Sequence, residues 1–231
     1  RGRKLETKIY TITDLERDHE KIVEAAEIIR NGGLVAFPTD TVYALGASLE
    51  SEEAILKLFE VKNRPKENPM NILVSRDLDM HLCIDITAPN GQFASRLIEE
   101  FWPGPLTVIM PRIIGRVPSE VTGGLLGIGV RQPDDDIARA LIDEVGNPVV
   151  APSANLSGHP SPTTGQHVID DLNGKVDMIL VGPDCKTGIE STVVDLTRDY
   201  PVIVRPGTIT KEQIQEVIPR KVFEVPGDLS L

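Results

Sequence analysis

Aromatic side chains make up only 4% of this 231-residue chain, so it has few rings on which bases of a single-stranded nucleic acid could stack. Basic residues are also the minority. The 24 Lys and Arg stand against 35 Asp and Glu, a formal net charge of -11 that repels phosphate backbones at long range. That balance argues against tight general RNA binding but still allows a local basic cleft for a small anion. Cysteine occurs twice, as Cys83 and Cys185, with no metal-ligand or redox spacing, and reads as two buried reduced thiols. His19, His81, His159 and His167 show no metal-ligand spacing with a second His or Cys, and no Ser-His-Asp order assembles. No apolar run reaches the length of a membrane span and no secretory signal opens the chain. The expectation is a cytoplasmic protein with no membrane partner.

What the chain does have is an alternation of short apolar runs and helical patterns. Ile22, Val23, Ala25, Ala26 and Ile29 follow helical spacing within 15–29, and Asn31-Gly32-Gly33 stops them. Leu34 to Phe37 reads as a buried strand. Ser51 caps a helix whose first turn carries Glu52 and Glu53 and whose core face is Ala54, Ile55, Leu58 and Phe59. Pro65 places Arg64 beyond that helix, because the residue before a proline avoids the helical region. Further strands are read at 72–74, 106–110, 127–131, 149–151, 178–181, 192–196 and 202–205. Further helices are read around 93–101, 134–145 and 166–172, and from Lys211. Several strands follow one another directly, so the pattern predicts one α/β domain over 1–220, a twisted mixed parallel/antiparallel sheet with helices packed on it. Residues 221–231, with Pro226-Gly227, read as a tail or the start of a linker to a second domain.

Five local patterns carry candidate chemistry. Lys62 and Arg64, at a helix end, suit the charge of a triphosphate. Ser153 and Asn155 follow a buried strand, where α/β proteins bind ligands. Thr39 and Thr41 follow another strand, Arg131 ends a third, and Ser191 and Arg205 sit at strand boundaries. Each also has a plain structural reading, as helix-end charge, turn chemistry or strand edge. Gly127-Ile128-Gly129 is no dinucleotide fingerprint, since no third glycine opens a helix at the needed spacing.

The ordered set Pro38-Thr39-Asp40-Thr41-Val42-Tyr43, Lys62-x-Arg64-Pro65 with Asn68-Pro69, Gly129-Val130-Arg131, Ser153-Ala154-Asn155, and Ser191-Thr192-Val193-Val194-Asp195 with Arg205-Pro206-Gly207 resembles the YrdC-like threonylcarbamoyl-adenylate synthase family. The resemblance runs from about Leu34 to Gly207. It implies a concave active-site face and a nucleotidyl-transfer reaction. L-threonine, bicarbonate (or carbon dioxide) and ATP give threonylcarbamoyl-adenylate and pyrophosphate. A tRNA threonylcarbamoyl-transfer complex then modifies an adenosine of tRNAs reading ANN codons, with at most transient tRNA contact by this chain.

By motif, the resemblance implies ATP contacts at Lys62, Arg64, Asn68, Ser153, Asn155, Ser161 and Arg205. Lys62 and Arg64 are the catalytic pair, expected to be partly exposed in the cleft. L-threonine falls to Thr39, Thr41, Arg131, Ser191 and the backbone of Ala151, with Arg131 suited to its carboxylate. Mg²⁺ is expected mainly through the ATP phosphates, with no protein metal site. The chain departs from the family pattern at Asp40 (commonly Glu), Ala44 (commonly Gly), Leu73 (often His) and Pro133-Asp134-Asp135 (more usually Pro-x-His). Two other readings remain: a carbamoyl-adenylate-forming enzyme of the hydrogenase-maturation type, and a non-catalytic RNA-binding module.

Overall fold

Ser51 begins a helix in the way its side chain dictates. Its Oγ accepts the Ala54 N–H at 3.1 Å, and Glu52 and Glu53 lie in the positive first turn of α2 (Glu52–Lys62). The same logic starts α4 (Asp136–Val145), capped by Asp135, and α5 (Gly165–Leu172), capped by Thr164. Thr210 and Gln213 form a reciprocal capping box on α6 (Lys211–Val217). The first helix, α1 (His19–Arg30), starts four residues later than its apolar spacing suggests. The Asp18 carboxylate accepts the N–H groups of Thr13 and Asp14, which folds the preceding segment into a turn instead. The remaining α-helix among the described residues is α3 (Gly91–Phe101). The computed structural model describes residues 5–225.

The strands are β1 (Lys8–Thr11), β2 (Val35–Phe37), β3 (Ala44–Ser48), β4 (Ile72–Leu73), β5 (Leu106–Pro111), β6 (Gly127–Arg131), β7 (Val149–Val150), β8 (Met178–Val181), β9 (Thr192–Asp195), β10 (Val202–Arg205) and β11 (Phe223–Glu224). They form one sheet in the order β1-β8-β2-β3-β7-β4-β6-β5-β9-β10-β11. Parallel and antiparallel pairs are mixed, as expected. Neither β1 nor β3 was readable beforehand; β3 is built from Ala44, Leu45, Gly46, Ala47 and Ser48, mostly small residues of weak strand propensity. Its smallness is required, since a Cβ at Gly46 would lie 2.8 Å from the Phe37 ring.

The tail reading of 221–225 is corrected. Val222 is buried, its N–H is held by Gln215 Oε1 at 2.9 Å, and Phe223 and Glu224 pair with Val202 and Ile203. A two-residue strand carries no periodicity to read. Pro226-Gly227 lies outside the described residues.

Two cores flank the sheet. On one face, α1 and α4 bury Ile22, Ala25, Ala26, Ile29, Ile137, Leu141 and Ile142 against Val35, Phe37, Met178 and Leu180. Each large aliphatic side chain so buried contributes roughly 1.5–3 kcal/mol. On the other face, α2, α3, α5 and α6 cover a larger core that includes Leu106, Val108, Ile128, Val130, Val194 and Ile203. Side chains alternate along a strand. The partners of those last residues, Thr107, Ile109, Arg131, Val193 and Asp195, therefore face the first side, beyond the reach of α1 and α4. There they line an open cleft.

Candidate active site

The cleft has a volume of about 800 Å³. Every site residue singled out from the sequence lines it: Lys62, Arg64, Asn68, Ser153, Asn155, Ser161 and Arg205, with Thr39, Thr41, Arg131, Ala151 and Ser191. Residues some ninety positions apart thus share one cavity because β3 and β7 are neighbours in the sheet and α2 ends beside the loop that follows β7.

The helix α2 stops sharply. Asn63 takes the left-handed conformation (φ 53°), its N–H returns to Glu60 O at 3.1 Å, and the Arg64 N–H returns to Phe59 O at 2.9 Å. The two cations then part company, and one expectation is corrected. Lys62 is not partly exposed; only 1% of it is accessible. Its ammonium donates to the backbone oxygens of Ser153 and of Asn155, the latter at 2.6 Å. It therefore holds the loop that carries Ser153 and Asn155. Burial, helped by the neighbouring Arg64 charge, brings the Lys62 pKa down to about 7. Arg64 is half-buried, and its Nη2 donates to Pro69 O at 2.8 Å. Burial lowers its pKa too, with Glu190 opposing.

The loop after β7 is braced from its other side. The Leu156 N–H donates to Asp171 Oδ2 at 3.1 Å, and His159 Nδ1 stands 3.3 Å from the same carboxylate oxygen. Asn155 Nδ2 spans the turn to His159 O at 2.8 Å and Leu156 O at 3.0 Å. Its Oδ1 is buried without a hydrogen-bond partner among the described residues.

Arg205 closes this cationic side. It donates from Nε to Ser191 O at 2.9 Å and from Nη2 to Ser191 Oγ at 3.0 Å, and its Nη1 lies 3.5 Å from Glu190 Oε2. Burial lowers its pKa, Glu190 opposes, and Arg131 adds a like-charge push downward.

The hydroxyl-rich side is built differently. Arg131 is 5% exposed and its guanidinium is already engaged. Nη1 donates to Asp40 Oδ1 at 2.6 Å and to Gly104 O at 3.2 Å, while Nη2 donates to Thr41 Oγ1 at 2.9 Å and Thr39 Oγ1 at 3.4 Å. Thr39 Oγ1 also accepts the Thr41 N–H at 3.1 Å and donates to Val42 O at 2.6 Å. The arginine thus fixes the two threonine hydroxyls at the cleft wall. The Ala151 N–H is tied to Asn71 O at 2.9 Å, which sets its backbone beside them.

Sequence reasoning missed several cleft residues. Thr107 shares a 2.7 Å hydrogen bond with Ser191 and is 1% exposed. A lone hydroxyl between Leu106 and Val108 was the available signal. Asn71 and Glu190 also line the cleft. The position of Asn71 demands Gly129, because a Cβ there would collide with the Asn71 amide and stand 2.8 Å from Thr107 Cγ2.

A family model described as "Telomere recombination", covering Sua5, YciO and YrdC proteins, matches residues 27–207. The chain belongs to this family. Among its relatives, the Bacillus subtilis protein named threonylcarbamoyl-AMP synthase is 44% identical over 90% of this chain and 59% of its own length. The Pyrococcus abyssi protein of the same name is 44% identical over 86% of this chain and 57% of its own length. The chain therefore spans less than two thirds of these relatives. The structure of P. abyssi Sua5 complexed with L-threonine superposes with a TM-score of 0.86 at 41% identity, covering 94% of this chain and 62% of that one. E. coli YciO superposes with a TM-score of 0.76 at 28% identity, covering 87% of this chain and 96% of that one. The mixed open sheet described above is thus the fold of the Sua5 and YciO structures, and in YciO it accounts for nearly the whole chain.

Proposed function

We propose that this chain is the synthase domain of a threonylcarbamoyl-AMP synthase, joining L-threonine, bicarbonate or carbon dioxide, and ATP into threonylcarbamoyl-adenylate with release of pyrophosphate. The observation that carries the reading is the make-up of the cleft: the cations Lys62, Arg64 and Arg205 line it together with the ordered hydroxyls of Thr39, Thr41 and Ser191, the last held by Arg205 itself. The names of the B. subtilis and P. abyssi relatives and the threonine-bound P. abyssi structure support it.

In this reading the amine of threonine attacks carbon dioxide or bicarbonate. The carbamate oxygen then attacks the α-phosphorus of ATP, and pyrophosphate leaves. No protein side chain becomes covalently attached. Arg64 and Arg205 stabilise charge on the departing phosphates, and Ser153, Asn155, Ser161 and Asn68 orient them. Lys62 acts by holding the Ser153–Asn155 backbone in place. Thr39, Thr41, Ser191 and the Ala151 backbone hold the amino acid, with Arg131 ordering the hydroxyls. The cleft walls keep water from a labile carbamate.

Magnesium fits the donors. Asn155 Oδ1 lacks a partner, the cleft carboxylates are hard oxygen ligands, and no group of three His, Cys, Asp or Glu side chains forms a metal cage among the described residues. Mg²⁺ carried on the phosphates would offset their charge. No described helix is long and apolar enough to cross a membrane, which agrees with a proposed place in the cytoplasm beside a tRNA threonylcarbamoyl-transfer complex.

The test is pyrophosphate release with each substrate omitted in turn, read together with the mass of the adenylate. Release that depends on both threonine and bicarbonate is expected. Release driven by carbamoyl phosphate instead would assign the carbamoyl-adenylate chemistry, and RNA affinity with no nucleotide turnover would assign an RNA-binding module.

A further inference from the structure

One cleft residue has no role in the reaction just described, and its surroundings are unusual. Glu190 lines the cleft half-buried, with Oε2 3.5 Å from Arg205 Nη1. Its charge also raises the pKa of Lys62, Arg64 and Arg205, so one carboxylate serves all three cations of the phosphate wall. The other acids near the cleft do not share this position. Asp195 is committed to Thr197 and to Arg198, whose Nε donates at 2.9 Å. Asp40 is committed to Arg131. Glu67 is exposed.

A carboxylate among cations meant for a triphosphate is a liability to a metal-free nucleotide, because like charges brought together oppose binding. The sign reverses once a divalent cation rides on the phosphate oxygens. A hard cation of that kind keeps most of its waters and takes one or two carboxylates from the protein. A single half-buried glutamate matches that demand, and no described acidic cluster could retain the metal by itself.

We propose that Glu190 is the protein's own contact to the divalent cation of the bound nucleotide, so that the cleft selects the metal complex over the free triphosphate. The proposal rests on the nucleotide reading of the cleft. It adds a metal-selecting residue that neither the reaction nor the motif set requires.

Calorimetric titration of the full chain with a non-hydrolysable ATP analogue, in Mg²⁺ or in EDTA, tests it. The native protein is expected to bind the Mg²⁺ complex about tenfold tighter than the free analogue. In Glu190→Gln, affinity for the free analogue rises, affinity for the Mg²⁺ complex falls, and the two converge to within about twofold. Glu190→Asp, which keeps the charge, retains most of the metal preference, and unchanged melting temperatures exclude a folding defect. An equal metal preference in the native protein and in Glu190→Gln overturns the proposal and leaves nucleotide binding standing. Failure of the native protein to bind the analogue with or without Mg²⁺ overturns the nucleotide reading and the proposal together.

Discussion

The two walls of the cleft use the same residue type in opposite ways. On the hydroxyl side, Arg131 is buried, paired with Asp40, and turned toward Gly104, Thr39 and Thr41, so its charge is compensated inside the protein. On the cationic side, Arg64 reaches only backbone oxygens, Arg205 shares Glu190 with its neighbours, and Lys62 is held on carbonyls. The first wall is internally neutral and preorganised. The second keeps an excess of positive charge that an anionic ligand can complete. The function of a cation in a cleft is thus read from what its N–H groups already touch, and only weakly from its place in a motif.

That contrast can be broken first at Arg64. Arg64→Ala removes charge aimed at a ligand, so kcat/KM for ATP is expected to fall about 10³-fold, some 4 kcal/mol, with the melting temperature unchanged. A melting temperature that drops with retained turnover would move Arg64 into the structural class. Asp40→Asn attacks the neutral wall instead. It strands the Arg131 charge in a buried site, and a loss of about 3 kcal/mol in denaturant unfolding is expected, with a raised KM for threonine and little change in KM for ATP. A purely catalytic defect with native stability would contradict the assignment of that pair.

Lys62 offers a pH test. Its folded pKa, about 7, lies below the ordinary lysine value of 10.5. Between those values the unfolded chain binds more protons than the folded one, so stability rises with pH across that window, and below 7 the full burial penalty is present. Relative to Lys62→Met, the native protein should gain about 2 kcal/mol between pH 7 and pH 9 in chemical denaturation. Parallel stability curves for the two proteins would show that Lys62 stays charged throughout. The smallest change is Thr107→Val, which takes away the hydroxyl partner of Ser191 at nearly constant volume. About 1 kcal/mol is expected, seen as a several-fold rise in KM for threonine. An unaltered KM would make the Thr107–Ser191 bond a packing detail.

The sequence was legible where a residue type has one use at its position. Ser51 could only be a cap, Gly32 and Pro65 could only be breaks, and apolar spacing exposed the core faces of α1 and α2. The membership of the cleft was legible too, because short polar groups after buried strands have few other places to go. The partners were not. That Lys62 would turn inward to Ser153 and Asn155 depends on how close α2 ends to the loop after β7, a distance no local pattern encodes. Nothing near Asp40 in the sequence points to its pairing with Arg131, which lies far along the chain. β3 escaped because close packing under Phe37, and no propensity of its own, makes it a strand.

The order of the sheet also fixes where the chain can be handled. β1 and β11 are its two outermost strands, so Lys8 and Phe223 sit roughly 48 Å apart when counted across the intervening strands. Dyes attached at Glu6 and Val225 would form a ruler laid over the whole blade. Any flexing of the blade when substrates arrive would register as a change in energy transfer.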